Sequence, residues 1–228
     1  MDYATYYKRQ ISLWGDDIQK LLKDKRVAIV GCGGLGSSLA LALGGSGIGE
    51  IVLIDFDIVS FHNIHRQIAL RVEDVGATKA SVVANVIAQR NPFVKAEVFE
   101  ADFDTFAKSG DNRFDLIIDA TDNIQTRQEI DRLAKEHKIP WVYGAVEGFN
   151  AQVCLFEKGD FNIFATKEHI PDGVAAPMVM QAASLEANLA LRYLAGLPVA
   201  TDTLYYLSYN SDGEFIVQKF KIKEHNSD

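Results

Sequence analysis

The chain has 228 residues, 48% hydrophobic and 24% charged, which is enough to build one folded domain with a sizeable core. Its net charge is −8 and its 23 lysines and arginines are scattered, so nucleic acid is disfavoured as a partner, because phosphate binders usually carry a basic stripe. No apolar run approaches the roughly 20 residues that span a bilayer, and the N-terminus lacks a signal-peptide core. We expect a cytoplasmic protein without membrane contact.

The first two thirds of the chain alternate between strand and helix patterns. After an N-terminal segment (1–25) with a short amphipathic helix at 16–23, the apolar run 26–30 predicts a strand that is buried on both faces. Helical composition over 34–47 and a second buried strand at 50–55 complete a β-α-β unit. The pattern continues with a helix after Thr78, strands at 96–101 and 116–118, a helix at 123–137 and a strand at 140–143.

The pattern changes after Gly144. Alternation at 152–157, 203–209 and 214–221 predicts antiparallel strands, and the turn residues at 210–213 predict that the last two form a hairpin. A helix is predicted at 180–197. The crossover loop (158–177) is long and lacks periodicity, and a loop of that length in a compact domain is usually functional or mobile. The predicted fold is therefore one α/β domain: a Rossmann-like, doubly wound, mostly parallel sheet (26–143) that is extended by antiparallel C-terminal strands (144–228).

A glycine loop directly follows the first strand. Gly31, Gly33 and Gly36 satisfy the G-x-G-x-x-G pattern, with Gly34 inside it, and Asp55 ends the next strand 19 residues after Gly36. Glycine lets the backbone approach a phosphate closely, and the following helix N-terminus presents free N–H groups to the anion. An acid at the end of the second strand can accept hydrogen bonds from ribose hydroxyls. These residues predict a nucleotide site.

Three features favour ATP over a nicotinamide dinucleotide. Asn63 and Arg66 follow the ribose acid closely, where they can meet a polyphosphate. Lys79 lies in the first turn of a predicted helix, where a cation is unfavourable unless anions are near. Asp119 and Asp122 end a buried strand at the edge where ligands of α/β sheets lie, and a carboxylate there can hold Mg²⁺. Asp119 is expected to support the site or to cap the next helix.

Six motifs follow one another along nearly the whole chain. They are Arg9-Gln10-Ile11-x-Leu13-x-Gly15, the glycine loop, Asp55-Phe56-Asp57 with Asn63-x-x-Arg66-Gln67, Lys79, Asp119-Ala-Thr-Asp122-Asn, and Gly173-Val-Ala-Ala-Pro177. In this order they resemble the ThiF/MoeB/HesA family of E1-like adenylating enzymes, which activate ubiquitin-like sulfur-carrier proteins.

The resemblance implies an ATP-dependent and Mg²⁺-dependent adenylyltransferase that acts on a ThiS-like or MoaD-like carrier. Asp122 would coordinate Mg²⁺ and orient the carrier's carboxylate, and Arg9 would reach into the site of a second subunit, which implies a homodimer. Catalytic roles are implied for Arg9, Arg66, Lys79 and Asp122. The implied nucleotide-binding set is Gly31, Gly33, Gly34, Gly36, Asp55, Asp57, Asn63, Arg66, Gln67 and Lys79.

The chain departs from the family pattern in its cysteines. Many relatives bind structural zinc with two C-x-x-C pairs, but this chain has only Cys32 and Cys154, so no zinc is expected and both thiols are predicted to be buried. The crossover loop has no cysteine, which predicts adenylation alone with a separate sulfur donor. That loop is predicted to clamp the carrier's tail, and the strands after Gly144 are predicted to bind its body.

Three other readings remain open. An NAD-dependent oxidoreductase would share the glycine loop, but it leaves Arg9, Lys79 and Asp122 without a role. An enzyme that activates a tRNA carboxylate, similar to the threonylcarbamoyl-adenosine dehydratases, lacks the expected basic stripe. A non-catalytic partner subunit of an E1-like heterodimer would have no need for all the charged residues of the site.

Overall fold

The computed structural model of the protein describes residues 2–110, 112–164 and 173–224. In these ranges a single sheet has the strand order β3-β2-β1-β4-β5-β6-β7-β8. The strands are β1 (Arg26–Val30), β2 (Glu50–Ile54), β3 (Lys95–Phe99), β4 (Leu116–Asp119), β5 (Trp141–Glu147), β6 (Asn150–Phe156), β7 (Thr203–Tyr209) and β8 (Phe215–Lys221). Strands β1 to β5 run parallel to one another, and β6 to β8 are added to β5 in antiparallel order, so the predicted fold class is confirmed.

Helices cover both faces of the sheet. They are α1 (Tyr3–Tyr6), α2 (Lys8–Lys23), α3 (Gly34–Ser46), α4 (Lys79–Arg90), α5 (Phe103–Lys108), α6 (Ile124–His137) and α7 (Ala176–Leu194). Helices α3, α4 and α7 build one core with Val27 and Ile29 of β1, whereas α5 and α6 build a second core with Ala28 and Val30. Successive strand residues face opposite sides and both sides are covered, which explains why the run 27–30 is apolar without alternation. None of the helices in the described ranges has the length and apolar character needed to cross a bilayer.

The N-terminal segment is packed against the body of the protein. Helix α2 begins at Lys8, earlier than the predicted 16, and is broken at Gly15, where φ is +85°. The buried carboxamide of Gln19 donates to the carbonyl of Ser46 over 3.2 Å and accepts from the indole N–H of Trp14 over 3.1 Å. Because buried polar groups need such partners, this network fixes the orientation of α2.

Predicted boundaries of α7, β5 and β6 are wrong: α7 ends at Leu194 rather than 197, and β6 begins at Asn150 rather than 152. Helix α7 begins at Ala176 rather than 180, with Pro177 in its first turn, where the missing N–H of proline costs nothing. Strand β5 continues through Gly144 to Glu147 instead of ending at 143. The crossover loop contains a 3₁₀ helix at Phe161–Phe164, and its residues 165–172 lie outside the described ranges.

Candidate active site

The carboxyl ends of three neighbouring parallel strands define the candidate site. The N–H of Gly31, after β1, donates to the carbonyl of Ile54 at the end of β2 over 2.8 Å. The N–H of Ala120, after β4, donates to the carbonyl of Val30 at the end of β1, also over 2.8 Å. The glycine loop, the ribose acid and the loop that carries Asp122 therefore lie side by side, at the edge where open α/β sheets bind ligands.

Each glycine of the loop is needed for a different structural reason. Gly31 has a φ of +91°, and a Cβ there would lie 2.7 Å from the carbonyl oxygen of Ala120. A Cβ at Gly36 would overlap the carbonyl of Gly31, so this glycine permits the close contact between α3 and β1. Gly33 occupies the N-cap position of α3, where no side chain caps the helix. The N-terminus of α3 is thus the part of the loop that suits a phosphate.

Asp55 joins the glycine loop to the end of β2. Its carboxylate accepts hydrogen bonds from the backbone N–H groups of Cys32 over 2.6 Å and Asp57 over 2.7 Å. Burial raises the pKa of Asp55, and these two hydrogen bonds together with the charge of Lys79 oppose that shift. The acid stands where the sequence predicts, and its contact with a ribose stays a prediction.

Lys79 and Asp57 form an ion pair beside Asp55. The Nζ of Lys79 lies 2.6 Å from Oδ2 of Asp57, and the backbone N–H of Lys79 donates to the carbonyl of Asp57 over 2.9 Å. Lys79 is buried although it is the first residue of α4, and Asp57 compensates its charge. Thr78 occupies the predicted N-cap position, but its hydroxyl donates to Glu100 rather than to the helix.

Three further predicted site residues lie in the segment of the chain between Asp57 and Lys79. The side-chain oxygen of Asn63 accepts from the N–H of Ser60 over 3.1 Å and so fixes a short 3₁₀ turn. Arg66 donates to the carbonyl of His62 over 3.2 Å. Gln67 is buried next to Gly33, and its side-chain oxygen has no hydrogen-bond partner among the described residues. Phosphate contacts of these residues stay predictions.

The two carboxylates after β4 have different environments. Asp119 is fully buried and accepts from Arg127 Nε over 2.9 Å and from the hydroxyl of Thr121 over 2.6 Å. Burial raises the pKa of Asp119, whereas Arg127 opposes the shift. Asn123, not Asp119, caps α6, so the capping role considered for Asp119 is wrong, and its supporting role stays a prediction. Asp122 is exposed, and its side chain forms no hydrogen bond or ion pair with the described residues.

Comparison with known proteins identifies the family. Residues 7–228 match the ThiF family. The chain belongs to the ThiF family. It is 34% identical to the sulfur carrier protein ThiS adenylyltransferase of Escherichia coli K12, covering 84% of this chain and 81% of that relative. It is 32% identical to the molybdopterin-synthase adenylyltransferase of Salmonella typhimurium, covering 88% and 86%. The predicted family and the predicted enzyme class, an adenylyltransferase, are confirmed by these relatives.

Solved structures agree on the ThiF-type fold. A crystal structure of E. coli MccB with ATP superposes with a TM-score of 0.83 at 20% identity and covers 97% of this chain and 73% of the other. A structure of PaaA gives a TM-score of 0.82 at 25% identity, with 96% and 73% coverage. The α/β architecture with its antiparallel extension is therefore shared with these proteins.

The two cysteines of this ThiF-family chain are buried, as predicted. Burial raises the pKa of both thiols, so neither is readily ionised. Among the residues that the structure describes, no group of three or more His, Cys, Asp or Glu side chains is placed to hold a metal ion. A metal at Asp122 would therefore need further ligands from the substrate or from water.

Of the predicted site residues, Arg9 lies apart from the cluster at the strand ends. Arg127 and Glu186, which lie near Asp122, were not predicted from the sequence. Arg9 is exposed on α2 and forms no hydrogen bond or ion pair with the described part of its own chain. Arg127 and Glu186 lie beneath the Asp122 loop. A signal for Glu186 was available, because it is the one acid in the helix 176–194 and falls on the stripe Val179, Ala182, Ala183, Glu186 and Ala190, which has helical spacing.

Proposed function

We propose that this chain uses ATP and Mg²⁺ to adenylylate the C-terminal glycine carboxylate of a ubiquitin-like sulfur carrier, ThiS-like or MoaD-like, with release of pyrophosphate. The observation that carries the proposal is the juxtaposition of the glycine loop, Asp55 and the exposed Asp122 at adjoining strand ends. The acceptor is supported by the relatives named ThiS adenylyltransferase and molybdopterin-synthase adenylyltransferase.

The residues around the glycine loop suit a nucleotide. In the proposed complex Asp55 binds the ribose, Gly33 and Gly34 let the backbone approach the phosphates, and Asn63, Arg66 and Lys79 contact them. Lys79 is held by Asp57 over 2.6 Å, so its ammonium is already directed to this edge of the sheet. The unpartnered oxygen of Gln67 beside Gly33 is a second polar group that a ligand can satisfy.

Asp122 is proposed to hold Mg²⁺. A single exposed carboxylate fits this ion, because Mg²⁺ usually binds one or two protein carboxylates and fills its shell with phosphate oxygens and water. When bound, Mg²⁺ supplies positive charge that neutralises the phosphates. Asp122 would in addition set the position from which the acceptor approaches.

The reaction needs no nucleophile from this chain. A carboxylate oxygen of the carrier attacks the α-phosphorus of ATP, and the bond from that phosphorus to the bridging oxygen of the β-phosphate breaks. Pyrophosphate leaves with the electron pair, and the carrier keeps an acyl-adenylate. The acceptor is already ionised, so this chain contributes position and charge compensation, which dominate such transfers. A separate donor then supplies sulfur, consistent with two buried cysteines.

We further propose that the active form is a homodimer in which Arg9 acts on the partner's nucleotide. Arg9 is exposed and has no partner in the described part of its own chain. The segment after β2 exposes apolar side chains that a second subunit can cover, since large exposed apolar patches mark interfaces. They are Phe56, Ile58, Phe61, Ile68, Val72 and Val75.

The test is ATP–pyrophosphate exchange with Mg²⁺ in the presence of ThiS-like and MoaD-like proteins that end in Gly-Gly. Exchange that depends on one carrier is expected, and the same carrier with an amidated C-terminus should not support it. Measurable ATP binding without exchange for any carrier would contradict the proposal and favour a tRNA substrate or a non-catalytic subunit. Tight NADH binding would instead favour an oxidoreductase.

A further inference from the structure

Arg127 ties three segments together beneath the loop that carries Asp122. Its Nε donates to the buried carboxylate of Asp119 over 2.9 Å, and its Nη2 donates to the carbonyls of Thr121 and Gly144, the latter over 3.0 Å. The guanidinium also lies 5.1 Å from the centre of the Tyr143 ring. One side chain of α6 therefore links the end of β4, the residue before Asp122, and the middle of β5.

Glu186 of α7 reaches the same place from the opposite face of the sheet. Its side chain is fully buried, and neither carboxyl oxygen has a hydrogen-bond partner among the described residues. A Cβ at Gly144 would collide with this carboxyl, which explains a glycine in the interior of β5. Arg127 and Glu186 thus meet at Gly144, one at its carbonyl and one at its Cα.

The charges of this cluster do not balance if both acids are ionised. The titratable groups that face Glu186 are Asp119 of β4, Arg127 of α6 and Tyr143 of β5. Arg127 is hydrogen-bonded to Asp119, and a second buried carboxylate without hydrogen bonds would be very costly. Burial therefore raises the pKa of Glu186 well above its ordinary value; Asp119 adds to the shift and Arg127 opposes it.

We propose that Arg127 and Glu186 are positioning residues for Asp122. Arg127 fixes the Asp122 loop through the carbonyl of Thr121, and Glu186 packs against Gly144 as an uncharged carboxyl that leaves the guanidinium to Asp119. The role given to Asp122 rests on the proposed function. The arrangement of the cluster itself does not, so the two can be tested apart.

The first test replaces Arg127→Lys, which keeps the charge but loses the planar fork that reaches three acceptors. Arg132→Lys, on the exposed side of the same helix, is the matched control. We expect Arg127→Lys to lower kcat of exchange and to raise the Mg²⁺ concentration for half-maximal binding of a fluorescent ATP analogue, each by about 10- to 100-fold, as outer-shell changes do. Binding of the analogue without Mg²⁺ should stay unchanged. Equal behaviour of the two variants, or an equal loss of metal-free binding, would overturn the proposal.

The second test uses Glu186→Gln, an uncharged isostere, with Glu136→Gln on the surface of α6 as control. A buried acid with a raised pKa contributes stability that is present below its unfolded value of about 4.5 and is lost as the pH rises towards its folded value. The Tm of Glu186→Gln should therefore exceed that of the wild type by a margin that grows with pH. A lower Tm at every pH would show that Glu186 is an ionised partner of Arg127 and would overturn its assignment as an uncharged carboxyl.

These readouts separate the two proposals. The Tm profile and the Mg²⁺ dependence of nucleotide binding need no acceptor protein. If every carrier fails in exchange while both readouts behave as expected, the proposed acceptor is wrong and the positioning cluster stands. If exchange is carrier-dependent but the Glu186→Gln margin is absent, the cluster assignment is wrong and the proposed function stands.

Discussion

The two halves of the sheet bury their strands differently. In the parallel half, Val27, Ala28 and Ile29 of β1 are fully buried on alternating faces. In the antiparallel half, Phe215 and Val217, which lie on one face of β8, are 42% and 45% exposed. A strand covered on both faces can offer ligands only its end, whereas a strand with an open face can offer its side chains. The parallel half thus suits a small nucleotide, and the antiparallel half suits a protein surface.

Replacing Asp122 has the largest expected effect, because it should impair catalysis at the parallel half without affecting carrier binding at the antiparallel half. We expect Asp122→Ala to lower kcat of exchange by about 10³-fold, because the site loses a charge that acts on the reacting phosphates. Carrier binding and Tm should change little, since the side chain is exposed. Asp212→Ala, an exposed acid of the β7–β8 hairpin, is the control and should leave kcat unchanged. Equal rates for the two variants would contradict the proposed site.

The close packing of the parallel half can be broken at Gly36. A Cβ there overlaps the carbonyl of Gly31, so Gly36→Ala should lower the free energy of unfolding by about 3 kcal/mol. Gly45→Ala in the same helix meets nothing within 4 Å and should raise it by up to about 1 kcal/mol, through helix propensity. Urea unfolding measures both. A similar effect of the two changes would show that the loop tolerates a side chain.

The open face of the antiparallel half can be tested at Phe215, whose ring centre is 5.4 Å from that of Tyr209. Phe215→Ala should weaken carrier binding by about 10-fold, the effect of losing one aromatic anchor. The affinity for ATP should stay unchanged. Val98→Ala, at the opposite edge of the sheet, is the control. Calorimetric titration with the carrier would contradict the assignment if both variants bound it like the wild type.

The smallest expected effect concerns the start of the crossover loop. Burial opposes ionisation of Asp160, but hydrogen bonds from Lys135 and Asn162 prevail and lower its pKa to about 2. A depressed pKa contributes stability above the unfolded value of 3.8, and this is lost as the pH falls towards 2. Asp160→Asn should therefore cost about 1 kcal/mol or less at pH 7, because the pair is partly exposed.

The pH dependence of unfolding serves as the control for Asp160→Asn. The difference between the wild type and Asp160→Asn should shrink steadily from pH 4 to pH 2, when followed by thermal unfolding. A difference that does not depend on pH would mean that the carboxylate acts through packing alone.

The sequence predicts most of the parallel half because its signals are local. The run 26–30 ends at a glycine, and the structure places β1 at Arg26–Val30. Asp55 and Asp122 follow apolar strands, so their position at the sheet edge is predictable from chain order alone. The start of α7 was missed because Pro177 resembles a loop residue, although proline is favourable in a first helical turn.

The supporting residues of the site depend on contacts that no local pattern contains. Gly144 resembles a strand end, but it lies inside β5 because the carboxyl of Glu186, 42 residues later, occupies the space of a side chain. Arg127 resembles a solvated arginine of α6, and its three acceptors come from two separate segments, the end of β4 and the middle of β5. Asn63 was predicted as a phosphate ligand, and its structural role in the turn is visible only from its contact with Ser60.

The strand order has a consequence for how the protein is made. From β4 to β8 the order in the sheet equals the order in the chain, so each strand can pair with its predecessor as soon as it is synthesised. Strand β1 instead lies between β2 and β4, and its second pairing must close the longest loop of the sheet centre, which is the slow kind of contact. We expect the glycine loop to lack its contact with the segment after β4 until β4 has been synthesised. Nucleotide binding by nascent chains of increasing length would then appear only after residue 122 has left the ribosome.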